Sequence, residues 1–230
     1  EIYRVPILIV MSPVARSYIF DLAPGQSFVE FFLTQGHDVY LLDWTEPRRE
    51  QTELDLATYV LDFVGGCIDA VVKDSGIEEL TLVGYCMGGM FSSMYCAIHP
   101  DSAVKNLACF TTPVNGDGME LYKKWMSSPS FDIDRIVDQI GNIPGDFINS
   151  SIQALRPLQR TANQLRLLNN VKDDAFVKAS LRFDRWAVDQ LAIPGELARD
   201  LAHDFIIYNK LVKNELELRG QRVDFSRIRI

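Results

Sequence analysis

LTLVGYCMGGMFSSMYCAI, residues 80–98, decides the fold. Leu80 to Tyr85 is an apolar, branched run of the kind buried on both faces of a sheet. Gly88 to Ile98 is small and apolar, stops at His99-Pro100, and predicts a helix. Between them stands the pattern G-x-C-x-G, formed by Gly84, Tyr85, Cys86, Met87 and Gly88, with Gly89 following. This is the thiol form of the nucleophile elbow, in which a strand turns sharply into a helix. Such a turn strains the backbone at Cys86 and leaves no room for side chains at Gly84 and Gly88. It projects the sulfur from the top of the sheet and aims the Met87 amide at the same spot as an oxyanion donor. A helix N-terminus is also expected to favour the thiolate. Cys86 is therefore the candidate nucleophile, the Met87 N–H a candidate oxyanion donor, and Gly84, Gly88 and Gly89 the elbow.

Outward from the elbow the same alternation repeats. Tyr3–Met11 (YRVPILIVM), Asp38–Trp44 (DVYLLDW) and Val104–Thr112 (VKNLACFTT) read as further buried strands. Gln26–Thr34 and Leu54–Lys73 read as the helices between them, the second with a wide apolar stripe. Strands alternating with helices predict an α/β fold, a mostly parallel sheet with helices on both faces. After Pro113 the character changes. Segments 132–140, 148–166, 173–189 and 195–217 read as helices, a hairpin is expected around Arg219-Gly220, and 227–230 resumes an apolar strand. The expected division is core over 1–113, an inserted helical cap over 114–222, and the start of the next core strand over 223–230. Such a cap covers the carboxyl edge of the sheet, where ligands bind in open α/β folds. The start at Glu1 and the stop at Ile230 read as cuts, so the expectation is a fragment whose C-terminal strands are absent.

Composition narrows the function. The chain has 230 residues, is 47% hydrophobic and carries a net charge of −8. It has material for a core, and an acidic balance argues against a nucleic-acid binder. The longest apolar run, Val5 to Met11, is too short for a transmembrane segment. The four cysteines, Cys67, Cys86, Cys96 and Cys109, form no CxxC pair, so no metal site, redox pair or disulfide scaffold is signalled. Their sparseness suits a reducing, intracellular compartment. Cys67 on a helical stripe, Cys96 on the elbow helix and Cys109 inside a buried strand read as small hydrophobes. No Walker loop or dinucleotide fingerprint is present, so no cofactor is expected. A thiol nucleophile wants a histidine held by a carboxylate. His37 precedes a strand at the amino side of the sheet and His99 ends the elbow helix far from its N-terminus, leaving His203 on a cap helix as the one histidine after the nucleophile that could approach it. The usual acid and histidine would follow later strands.

The elbow GYCMGG (Gly84 to Gly89), SYIFDLAPGQS (Ser17 to Ser27), DVYLLDW, TTPV (Thr111 to Val114), GNIPG (Gly141 to Gly145), FDRWAVD (Phe183 to Asp189) and YNKLVKNELELRGQRVDFSRI (Tyr208 to Ile228) occur in order along nearly the whole chain. Together they resemble the catalytic subunit of polyhydroxyalkanoate synthases, most of all its two-component and archaeal members. The resemblance implies an α/β-hydrolase core with a mobile cap, and polymerisation of (R)-3-hydroxyacyl-CoA through a thioester on Cys86 with release of CoA. It implies a catalytic Asp and His after the strand beginning at Ile228, with no matching positions here. It also implies a homodimer or a complex with a second synthase subunit, and a cytoplasmic place at the polymer granule surface. The loop after the first strand supplies the family's second oxyanion amide, here Val14 or Ala15; Ala15 stands before Arg16 where many members have Asn. Arg48-Arg49 and Lys123-Lys124 could meet CoA phosphates, though solvated surface pairs are the simpler reading. Phe147, Ile148, Leu155, Leu165, Leu167, Leu168, Phe176 and Trp186 could keep water out, though ordinary cap packing accounts for most of them. An esterase or thioesterase on the same fold, and a non-catalytic fragment that acts only by association, are the competing readings. Without its base, the fragment is expected to be inactive alone.

Overall fold

The computed structural model describes residues 3–155 and 157–230; of Leu155 and Arg160 the side chains lie outside the described set. In chain order the strands are β1 (Ile7–Val10), β2 (Asp21–Ala23), β3 (Gln26–Ser27), β4 (Val39–Leu42), β5 (Leu80–Tyr85), β6 (Val104–Phe110), β7 (Glu217–Leu218) and β8 (Gln221–Arg222). Four of them form one parallel sheet in the order β4-β1-β5-β6. The helices are α1 (Phe28–Thr34), α2 (Gly65–Ser75), α3 (Met87–Ile98), α4 (Glu120–Met126), α5 (Ile133–Ile140), α6 (Gly145–Leu155), α7 (Gln159–Asn169), α8 (Asp174–Val188) and α9 (Gly195–Asp200).

Side-chain alternation on the central strands builds two cores. Leu8 and Val10 of β1 and Leu80 and Leu82 of β5 join a large cluster with Ile68 and Val71 of α2 and Met90, Phe91 and Met94 of α3. Ile7, Ile9 and Val83 point the other way, onto Phe28, Val29 and Phe32 of α1. Burial on both faces explains why β1 and β5 are unbroken apolar runs. The chain runs from β1 out to β4, then crosses back to β5 on the far side of β1. The strand order therefore reverses between β1 and β5, and the crevice at their carboxyl ends is where this architecture places ligands.

Several sequence expectations need correction. Cys109 is exposed, not inside a buried strand. Among the described residues β6 pairs only with β5, so it is an edge strand, and Phe110 on it is 44% exposed. The helix expected over 195–217 ends early. It passes from α9 into a π-helical turn, Leu201–Ile207, and the chain then bends at Asn209, where φ is 51°. Asn209 is buried; its Oδ1 accepts from the Gly116 N–H at 2.9 Å and its Nδ2 donates to Asn115 at 2.8 Å. The helix expected over 148–166 is two, α6 and α7, separated around Pro157. Helix α4 and the β2–β3 ribbon were not anticipated. The strand expected from Arg227 does not form: Phe225–Arg227 is a single 3-10 turn capped by Asp224. The hairpin is present as β7–β8, with φ of 48° at Arg219 and 76° at Gly220 giving the tight turn such strands prefer.

Candidate active site

β5 delivers Cys86 to the switch point with φ 53° and ψ −126°. That conformation costs a residue with a Cβ on the order of 1–3 kcal/mol and persists only where its surroundings fix it. Here the Cys86 N–H donates to the Phe110 carbonyl at 2.9 Å, and the Cys86 carbonyl accepts from the Gly89 N–H at 3.0 Å. Close approach makes the glycines obligatory, as expected from sequence. A Cβ on Gly84 would strike the backbone of Gly89, one on Gly88 the carbonyls of Val10 and Met11, and one on Gly89 the Thr112 side chain. The elbow is thus wedged between the ends of β1 and β6.

The segment leaving β1 is the other wall. Trp44 Nε1 donates to the Met11 carbonyl at 2.8 Å. The Ala15 N–H donates to the Ser12 carbonyl at 3.1 Å, while the Val14 carbonyl accepts from the Leu191 N–H at 2.8 Å. Trp186 Nε1 donates to the Arg16 carbonyl at 2.8 Å. Asp189 accepts from Arg16 Nε at 3.3 Å and from the Tyr18 hydroxyl at 3.2 Å. The Ala15 amide is thereby spent, whereas the Val14 N–H has no acceptor among the described residues.

The helix N-terminus favours the thiolate as expected, but burial outweighs it. The Cys86 thiol is held above its ordinary value because burial penalises the anion; the Met87 N–H and the Ser12 hydroxyl pull the other way without prevailing. The helix N-terminus alone therefore does not supply a ready thiolate. No histidine answers this need among the described residues. His37 stacks on Tyr3 with ring centroids 4.4 Å apart. His99 caps the far end of α3. His203 lies 3.2 Å from both Asp134 oxygens, in a surface cluster with Arg199.

The other sequence candidates fall elsewhere. Arg48 pairs with Glu50 and Lys123 with Asp117. Of the apolar residues noted on the cap, Ile148 and Trp186 pack on the core and Phe147 stacks on Trp125, but Leu165 and Leu168 are largely exposed, so ordinary packing does not account for those two. The Leu155 side chain lies outside the described residues. Among the described residues no cluster could hold a metal ion, and no helix is long and apolar enough to cross a membrane. Sequence reasoning missed Ser12, Trp44 and the Tyr18–Asp189 contact; each becomes visible only through the tertiary structure.

Burial raises the thiols of Cys67 and Cys86, and takes Cys96 to about 12 with help from Cys109. The unfolded chain ionises these groups first, so native stability is full below the ordinary thiol value and falls as pH rises beyond it. Cys96 alone accounts for a slope approaching 1.4 kcal/mol per pH unit between roughly pH 9 and 12. Melting curves from pH 8 to 11 should show this loss, with a shallower slope in Cys96→Ala; equal slopes would refute it.

Comparison with known proteins gives a consistent pattern. The alpha/beta hydrolase fold family matches residues 21–204. The chain is 37% identical over 228 residues to the poly(3-hydroxyalkanoate) polymerase subunit PhaC of Haloferax mediterranei, covering 98% of this chain and 46% of that protein. It is 35% identical over 230 residues to the subunit of the same name from Allochromatium vinosum, covering 99% of this chain and 64% of that one. It thus spans between about half and two thirds of the length of these curated relatives. The structure of MenH from S. aureus superposes with a TM-score of 0.51 at 17% identity, over 91% of this chain and 70% of that one, a likeness of fold alone.

Proposed function

We propose, from the premise that this chain belongs to the alpha/beta hydrolase fold family, that it is the nucleophile-bearing part of a polymerase of (R)-3-hydroxyacyl-CoA. The observation that carries this reading is a cysteine, where esterases of the fold mostly place serine, on a strained elbow at the switch point. Relatives named as poly(3-hydroxyalkanoate) polymerase subunits support the substrate class.

In this reading the Cys86 thiolate attacks the thioester carbonyl of a hydroxyacyl-CoA. The oxyanion is received by the Met87 N–H and by the Val14 N–H, the second chosen over Ala15 because the Ala15 amide is already bonded. The carbon–sulfur bond to CoA breaks, CoA leaves as its thiolate and takes up a proton, and the acyl group rests on Cys86. Thiol–thioester exchange is nearly balanced, so the acyl group stays transferable to the next hydroxyl. The reaction needs CoA thioester as substrate and no cofactor. The Asp and His that activate thiol and hydroxyl belong to the longer protein, so these 230 residues are inactive as a polymerase. In the whole protein the site works in the cytoplasm at a polymer granule, as a homodimer or with a second subunit.

Incubating the chain with 3-hydroxybutyryl-CoA at pH 7 to 9 tests this, with intact and peptide mass spectrometry. A slow, stoichiometric adduct of one hydroxybutyryl unit on the Cys86 peptide is expected, growing with pH and absent in Cys86→Ala. Repeated CoA release with free 3-hydroxybutyrate would favour a hydrolase instead. Acylation confined to Cys109 would remove Cys86 from the chemistry.

A further inference from the structure

We propose that Ser12 is a catalytic residue of this site, its hydroxyl donating a hydrogen bond to the Cys86 sulfur when that sulfur is an anion. The proposal rests on the reading of Cys86 as the reacting group, and extends it to a side chain that no elbow pattern contains.

Ser12 is the residue where β1 ends. Its side chain is buried, at 1% exposure, and its Oγ has no hydrogen-bond partner among the described residues. A buried hydroxyl without a partner costs about 1–3 kcal/mol, and native proteins rarely carry one without use. The backbone gives it a direction. Val10 pairs with Gly84 in the sheet, and the carbonyls of Val10 and Met11 press on Gly88, so the end of β1 lies against the elbow on both sides of Cys86. Ser12 is the next residue along that wall. Its carbonyl is occupied by the Ala15 N–H, which closes the turn in which it stands. A thiolate at Cys86 is favoured by the Ser12 hydroxyl as well as by the Met87 amide.

In the resting site the hydroxyl makes no hydrogen bond, to the Cys86 sulfur or to any other described group. Formation of the thiolate gives the hydroxyl its partner. The interaction is stronger in the reactive state than in the resting one, and that difference is what promotes reaction. Stability is given up at Ser12 in the resting fold and recovered as the sulfur ionises.

Alkylation with iodoacetamide reads this without reference to substrate or polymer. The sulfur displaces iodide, a sulfur–carbon bond forms, and the thiol proton passes to buffer. Rates are followed from pH 6.5 to 10 on the Cys86 peptide, with exposed Cys109 as internal reference. Tyr85 is the ionisable neighbour of the sulfur, and its hydroxyl is held above its ordinary value by burial, so titration up to pH 10 reads the thiol. In Ser12→Ala the Cys86 rate below its midpoint should fall about tenfold and the midpoint should move up, with Cys109 unchanged. The melting temperature of that variant should hold or rise, because an orphan hydroxyl has been removed. Ser12→Thr, which keeps the hydroxyl, should stay within about threefold of the parent. An unshifted profile in Ser12→Ala would overturn the proposal, as would faster alkylation. A variant that loses both stability and rate, without rescue by threonine, would make Ser12 structural and overturn it equally. Failure of acylation by 3-hydroxybutyryl-CoA alongside a shifted alkylation profile would sink the polymerase reading and leave Ser12 standing.

Discussion

Gly88→Ala should lower stability by at least about 3 kcal/mol, a fall in melting temperature on the order of 10 °C for a chain of this size. The added methyl would be driven into the carbonyls of Val10 and Met11. Neither can retreat. Val10 lies on a central strand, laddered to Leu42 on one side and Gly84 on the other, and the Met11 carbonyl is held by Trp44. Strain is relieved cheaply only when a flexible side chain gives way, and here both obstacles are backbone. Gly66→Ala is the matched control. It sits in α2, exposed, with nothing near the added methyl, and should gain up to about 1 kcal/mol from helix propensity. Thermal or urea melts of the two variants decide the matter: a mild effect at Gly88 would mean that α3 does not bear on the end of β1.

Cys86→Ser should reduce acylation by 3-hydroxybutyryl-CoA by at least about 10³-fold while leaving the melt unchanged. The swap is nearly isosteric, and the Met87 amide can still donate to the oxygen. Chemistry, not packing, is lost. A thiol keeps a small ionised fraction near neutrality even when burial raises its pKa, whereas a serine hydroxyl needs a general base, a contribution of roughly 10²–10⁴ by itself. No histidine reaches position 86 among the described residues. Peptide mass spectrometry after incubation at pH 8 measures the difference. A serine variant acylated within tenfold of the parent would show that a base is already in place.

The elbow was legible because each of its parts carries a local signature: a branched apolar run, two spaced glycines and a small-residue helix. The α/β alternation was legible for the same reason. Position in the sheet was not. The pattern of Val104–Phe110 says strand, but burial of Cys109 depends on whether another strand lies beside it. The stop at Asn209 was hidden because its cause is a hydrogen bond to Gly116, far away in sequence. Ser12 was invisible because Ser-Pro after a strand reads as an ordinary turn, and only the packed structure shows a hydroxyl sealed in without a partner. The raised thiol followed from the same blindness, since helix position can be read from sequence and depth of burial cannot.

The segment from Met11 to Arg16 is held at one end by the core, through Trp44, and at the other by residues 186–191, through Trp186, Asp189 and Leu191. Displacing 186–191 therefore pulls on the same backbone that carries the Val14 amide. In the proposed reaction, any displacement of 186–191 that admitted a substrate would also move the Val14 amide, an interlock in which the bolt and the door are the same piece.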